Sequence, residues 1–227
     1  MRFFITKIKC REKFLFTNRL LIVALVITGA IAAWGIIDTS SLAATSAYLV
    51  KVEFTAYAWF IMLTVSFLLI TSIFLAVSRY GRIKLGQDDD EPEFSTVSWL
   101  SMLFAAGMGV GLLYWGTAEP LTHYLLISEF EDPRSSASKA LSMTNFHWGL
   151  HAWAIYALTG LVIAYFGFRL GCPSLVSAPI IKVFGVNRIT RGVGWLCDLL
   201  AIVAIAIGLG GSVAMGVFQV KEGVDAL

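Results

Sequence analysis

Charge is what this sequence has least of. Asp, Glu, Lys and Arg make up only 14% of its 227 residues, and the formal net charge is +2. So small a balance gives no argument for a nucleic-acid partner, which favours a dense basic face. Cysteine is scarce as well, with Cys10, Cys172 and Cys197 the only three. In the topology derived below they fall on or near the cytoplasmic side, where thiols stay reduced, so no disulfide is expected. Low-complexity segments and internal repeats are absent. What remains is apolar: 58% of residues are hydrophobic and the mean hydropathy is +0.79, which excludes an ordinary soluble domain and places the chain in a membrane.

A spanning helix needs about 20 largely apolar residues, and five such runs are present, at about 20–37, 55–77, 97–115, 139–166 and 193–220. The fold class expected is therefore all-α and integral to the membrane, with five transmembrane helices. Lysine and arginine set its orientation. Arg2, Lys7, Lys9, Arg11, Lys13 and Arg19 precede the first run; Arg79, Arg82 and Lys84 follow the second; Arg169, Lys182, Arg188 and Arg191 follow the fourth. The alternate segments hold only Lys51, then Arg134 with Lys139, then Lys221. The alternation is unbroken and predicts a cytoplasmic N-terminus with residue 227 outside. A basic start and the triplet Ala30-Ile31-Ala32 imitate a signal peptide, but the apolar run continues to Ile37 and four more follow, which favours a retained anchor.

The third run is unlike the others. Gly107, Gly109 and Gly111 occur within five positions of AAGMGVGLLYWGTAEPLTHY, residues 105–124. Each glycine costs roughly 1 kcal/mol against alanine in a helix, so the cluster marks a place where backbone bends or unwinds. At membrane depth such a break is tolerated where it faces protein or a watery cavity, and in transporters these breaks form substrate and ion sites. The spacing therefore points to transport.

The fourth run carries NFHWGLHAWAIY, residues 145–156. On an uninterrupted helix with Trp148 at 0°, Tyr156 lies near 80° and Trp153 near 140°, so three rings share a broad face over about 12 Å. Interfacial belts also use Trp and Tyr, yet Trp148 and Trp153 lie deeper than a belt requires. Rings around a cavity bind cations that lack N–H donors, quaternary ammonium compounds above all, at about 0.5–2 kcal/mol each. His147 and His151 stand at i and i+4, but Trp148 occupies the position where a zinc peptidase needs glutamate. With no third ligand evident in sequence, hydrogen bonds between helices are the expected use, and no enzyme is expected.

Other features read as structure. Asp88–Glu93 is acidic but has no glycine-turned loop to converge on an ion, so a solvated connector is expected. Residues 167–192 are expected to include a short interfacial helix. Ala204, Gly208, Ser212 and Gly216 form a small-residue stripe that admits a neighbouring helix. Asp198 suits a helix N-terminus electrostatically, and Glu119-Pro120 reads first as a helix stop, with a gating contact as the sharper reading.

Together, GMGVGLLYWGTAEPL followed by NFHWGLHAWAIYAL resembles the betaine/carnitine/choline transporter family, secondary transporters of trimethylammonium and related onium solutes with a LeuT-type inverted-repeat fold. The resemblance covers essentially all 227 residues. It implies that Trp148, Trp153 and Tyr156 belong to an aromatic substrate box and that Met108 contributes to the same site. It implies that Gly107, Gly109 and Gly111 form a hinge, and that backbone carbonyls of Ala105 and Met108 contribute to a sodium site. Coupling to Na+ or H+, residence in a bacterial inner membrane and a homotrimer are further implications. The division implied is a basic tail over 1–19, two preliminary helices and an acidic loop over 20–96, and the first three helices of the transporter core over 97–227.

Two departures matter. Family members have about twelve spans, so five correspond to an N-terminal portion that lacks the second repeat. At positions where some sodium-coupled members carry hydroxyls, this chain has Ile205 and Leu209, which puts that additional sodium site in doubt. The competing class is a membrane interaction or assembly protein with no transport of its own. The orientation is directly testable: in intact cells, single cysteines at Ser46 and Ser135 should label with an impermeant thiol reagent and those at Gln87 and Asn187 should not. Inverted labelling refutes it.

Overall fold

A computed structural model describes residues 17–107 and 109–225, and every regular element among them is helical. The helices are α1 (Thr17–Ile37), α2 (Thr39–Val52), α3 (Ala58–Val77), α4 (Thr96–Gly107), α5 (Val110–Ser128), α6 (Pro133–His147), α7 (Leu150–Ala164), α8 (Ser177–Phe184) and α9 (Arg188–Asp225). Among the described residues four stretches are long and apolar enough to cross a membrane: Arg19–Ile37, Thr39–Val77, Pro133–Arg169 and Arg188–Asp225. Their outer surfaces are largely exposed leucine, isoleucine, valine and phenylalanine, the surface expected of helices whose solvent is lipid.

Sequence and structure differ in three places. The second apolar run begins well before residue 55: α2 is capped by Asp38, which accepts the Ser41 N–H at 2.9 Å, and a π-helical turn over Glu53–Tyr57 joins it to α3. The side-chain cap satisfies a terminal amide and starts the helix early. The third run is two helices, α4 and α5, and the described apolar part of α4, Thr96–Ala105, is shorter than a span. The fourth is interrupted at Trp148 and Gly149, between α6 and α7.

The chain divides into two compact units. One holds α1, α2, Arg82–Asp88 and Thr159–Ile205. Its core is Leu20 and Ala24 of α1 against Leu199 of α9, flanked by Val23, Ile27, Trp195, Ile202 and Val203. The intervals of three and four residues on both helices are those that bring one face of each together. The short helix expected within 167–192 is α8. Its Ser177 is fully buried, and a Cβ on Gly194 of α9 would lie 2.9 Å from the Ser177 Cβ, so only glycine lets α8 and α9 approach this closely.

Asp198, 4% exposed, accepts the Ser177 N–H at 2.9 Å. The carboxylate thus serves a helix N-terminus as the sequence suggests, but that of α8, not the start of its own helix. Asn187 and Thr190 close α9 reciprocally, each backbone N–H donating to the other's side-chain oxygen at 2.9 Å. In the same unit Gln87 donates to the carbonyl of Phe168 at 2.9 Å, and Arg169 donates to Gly86 at 2.8 Å and pairs with Asp88 at 2.7 Å. The Arg169 guanidinium holds the Asp88 carboxyl below its ordinary value, so the acidic connector is anchored at its first residue.

The second unit comprises Tyr57–Gly81, Asp89–Leu158 and the chain from Ala206 onward. Its main packing is α5 against α6, joined by a short loop. Asp132 caps α6 by accepting the Arg134 and Ser135 amides, both at 3.1 Å, and Pro133 occupies the first turn, where its missing N–H costs nothing. Glu131 pairs with Lys139 and accepts the Ser135 hydroxyl. Pro120 does not stop α5, which runs on to Ser128: one missing N–H, at about 3 kcal/mol, is outweighed by the rest of a packed helix.

Asp198→Ala should lower the stability of the micellar protein by about 1–2 kcal/mol through loss of a buried cap, and Asp198→Asn, which keeps an acceptor oxygen, should lose less. Denaturant unfolding followed by far-ultraviolet circular dichroism checks this, and equal losses would refute the capping role.

Candidate functional site

The break between α6 and α7 is local chemistry. Trp148 and Gly149 donate backwards to the carbonyls of Thr144 and Phe146 at 3.0 and 3.2 Å, closing α6 with a tight turn. A Cβ at Gly149 would sit 2.8 Å from the Asn145 carbonyl oxygen, so glycine permits the turn, and Trp153 restarts the ladder by donating to Gly149. An uninterrupted helical wheel does not survive this break. Trp148 is turned toward α5, where its Nε1–H donates to Glu119 Oε2 at 2.7 Å. Trp153 and Tyr156 remain together on α7, ring centroids 6.0 Å apart and planes at 51°.

These two rings are open, Trp153 at 48% and Tyr156 at 72% exposure. The Trp153 Nε1–H is bound at 3.0 Å to the Trp148 carbonyl, which fixes its indole. Adjoining faces of this kind attract a desolvated cation that has no hydrogen to donate. The chain therefore brings Trp153 and Tyr156 together and couples Trp148 to them through its backbone, while the Trp148 side chain faces a carboxylate.

The backbone break in the glycine stretch lies where the sequence puts it. α4 ends at Gly107 and α5 begins at Val110, with Gly109 extended at φ −66° and ψ 177°. The backbone at Gly109 is one that any residue can adopt, and a Cβ on Gly111 would meet open space. Ala105 is exposed near the end of α4. Met108 lies outside the described residues. On α9, Ile205 and Leu209 are exposed at 68% and 64%, and a Cβ on Gly208 within the small-residue stripe would meet nothing within 4 Å.

Glu119 is the residue whose importance sequence underrates. Besides the Trp148 indole, its carboxylate meets His147 Nδ1 at 2.5 Å and His123 Nε2 at 3.4 Å. The two histidines stack as tilted rings 5.3 Å apart, whereas His151 turns to Phe146. His147 and His151 thus do not act as a pair. The one-turn spacing of Glu119 and His123 was available as a signal; the approach of residue 147 is tertiary.

Comparison with known proteins bears on this geometry. Residues 19–227 match the profile of the betaine/carnitine/choline family transporters. The glycine betaine transporter OpuD of Bacillus subtilis is 40% identical over 208 residues, covering 90% of this chain and 40% of the relative. A probable glycine betaine transporter of Desulfitobacterium hafniense is 37% identical over 210 residues, 92% of this chain and 42% of the relative. The betaine/ectoine transporter LcoP of Corynebacterium glutamicum is 39% identical over 203 residues, 87% and 32% respectively. The chain spans about two fifths or less of the length of these curated relatives.

Proposed function

The chain belongs to the betaine/carnitine/choline transporter family, and from that premise we propose that it forms the N-terminal part of a secondary transporter for quaternary-ammonium or related onium solutes, with compatible-solute uptake as its setting. The observation that carries this reading is the Trp153–Tyr156 ring pair on α7, held by a hydrogen bond to the Trp148 carbonyl and open on its π faces. A methylated cation carries charge without N–H donors, so π faces are the groups that favour it over water and over ammonium. The printed names of the relatives, glycine betaine and betaine/ectoine transporters, support the same solute class.

In this reading Trp153 and Tyr156 face the onium head, with Trp148 and Met108 completing the wall. The break at Gly107–Gly111 is a hinge: its residues are poor helix formers, so the segment shifts between bent and regular backbone at small cost as the pocket opens to either side. Carbonyls freed by such a break, those of Ala105 and Met108, are suited to Na+; with Ile205 and Leu209 offering no side-chain oxygen, a second sodium is disfavoured and H+ is the alternative coupling ion. The N-terminus is cytoplasmic, the membrane a bacterial inner membrane, and the assembly a homotrimer.

The test supplies the rest of a transporter. Residues 19–227 replace the matching segment of the Bacillus subtilis relative, and uptake of labelled glycine betaine and choline is measured in cells lacking other uptake systems. Saturable uptake is expected, with Trp153→Ala weakening apparent affinity about tenfold, as loss of 1–2 kcal/mol of cation–π contact requires. A chimera that reaches the membrane in normal amount without uptake, or one indifferent to Trp153→Ala, refutes the reading. The hinge has its own test in the same chimera: Gly109→Ala should reduce maximal uptake at unchanged membrane abundance, since alanine favours regular helix by about 1 kcal/mol. Unchanged kinetics would remove the hinge.

A further inference from the structure

Glu119, His123 and His147 converge at one point of the α5–α6 pair, and onium binding through π faces makes no use of the histidines. Glu119 and His123 stand one turn apart on α5, and His147 closes α6. One ligand-capable atom from each lies within 4.8 Å of the others. A single carboxylate oxygen, Glu119 Oε1, meets both rings, at 2.5 Å to His147 and 3.4 Å to His123. The other oxygen accepts the Trp148 indole N–H at 2.7 Å.

Two imidazoles and one carboxylate form a borderline donor set. It suits Zn2+ and related late transition ions, and not Mg2+ or Ca2+, which prefer oxygen alone. Tetrahedral ligands 2.0–2.1 Å from zinc stand ~3.3 Å apart. The Glu119–His123 separation of 3.4 Å already matches this, the 2.5 Å pair must spread by less than an ångström, and the three atoms, all within 4.8 Å of one another, must close around the ion. His147, with 47% of its side chain exposed, has room to do so, while Glu119 and His123 at 14% and 19% are largely held. The Trp148 donor supplies the outer hydrogen bond that orients a ligating carboxylate.

We propose that Glu119, His123 and His147 form a three-ligand site for a Zn2+-class ion, with water in the fourth position, that fastens α5 to α6 and sets the Trp148 side chain through Glu119. The role is structural or regulatory. His123 and His147 take no part in the Trp153–Tyr156 ring pair, so zinc binding is measured separately from onium uptake.

The untagged 227-residue chain, stripped with chelator in detergent micelles, is titrated with Zn2+ against a chromogenic competitor, its helix content followed by circular dichroism. Binding of about one equivalent is expected, weakened at least tenfold in His123→Gln and in Glu119→Gln, as loss of one of three protein ligands requires. His151→Gln, outside the cluster, should bind as the parent does, and millimolar Mg2+ should not compete. Binding should also weaken as pH falls, since the ion displaces a proton from the ligands. Absence of stoichiometric binding by the helical parent chain overturns the site. So does a Zn2+ affinity that His123→Gln leaves unchanged, or that His151→Gln reduces as much as His123→Gln does; either would mean the three groups are only a hydrogen-bonded contact between helices.

Discussion

Every backbone N–H and C=O in a hydrocarbon environment has to find its partner within the protein, and that requirement governs this chain. It makes every regular element among the described residues a helix and gives four stretches of them enough length to cross. It also gives meaning to the places where helix stops. α4 ends at Gly107 and α5 begins at Val110, and regular bonding lapses again at Trp148–Gly149. Both lie at glycines, and at Gly149 the missing Cβ lets the turn close on the Asn145 carbonyl.

Around those lapses the polar groups are concentrated rather than scattered. Glu119 is the centre of the α5–α6 contact, accepting from an indole and meeting two imidazoles. A carboxylate in so apolar a chain is costly unless it is hydrogen-bonded, and here all its nearby partners come from two helices joined by a short loop. The same economy appears in the other unit, where buried Asp198 satisfies the first turn of α8. In both, one acidic side chain on a long apolar helix fixes how a second helix is placed.

The aromatic residues divide by neighbour rather than by sequence spacing. Trp148, Trp153 and Tyr156 read as one face only if α6 and α7 are a single helix. Gly149 breaks that helix, and Trp148 swings to α5 while Trp153 and Tyr156 stay paired. The backbone link from the Trp153 indole to the Trp148 carbonyl keeps the break and the ring pair in register.

By itself the sequence determined the class, the family, most of the apolar spans, the glycine break and the helix within 167–192. These depend on local quantities: hydropathy summed over about 20 residues, glycine's poor helix propensity, and motif order. Only the tertiary structure decided that Thr39–Val52 is helix continuous with the second run, that Pro120 is carried inside α5, that Asp198 caps α8, and that Glu119 joins His123, His147 and Trp148. The Asp198 cap and the approach of His147 and Trp148 to Glu119 depend on which groups from distant positions satisfy one another. Residues 119 and 147 meet because α5 and α6 fold back through a short capped loop, and no periodicity along either helix specifies that register.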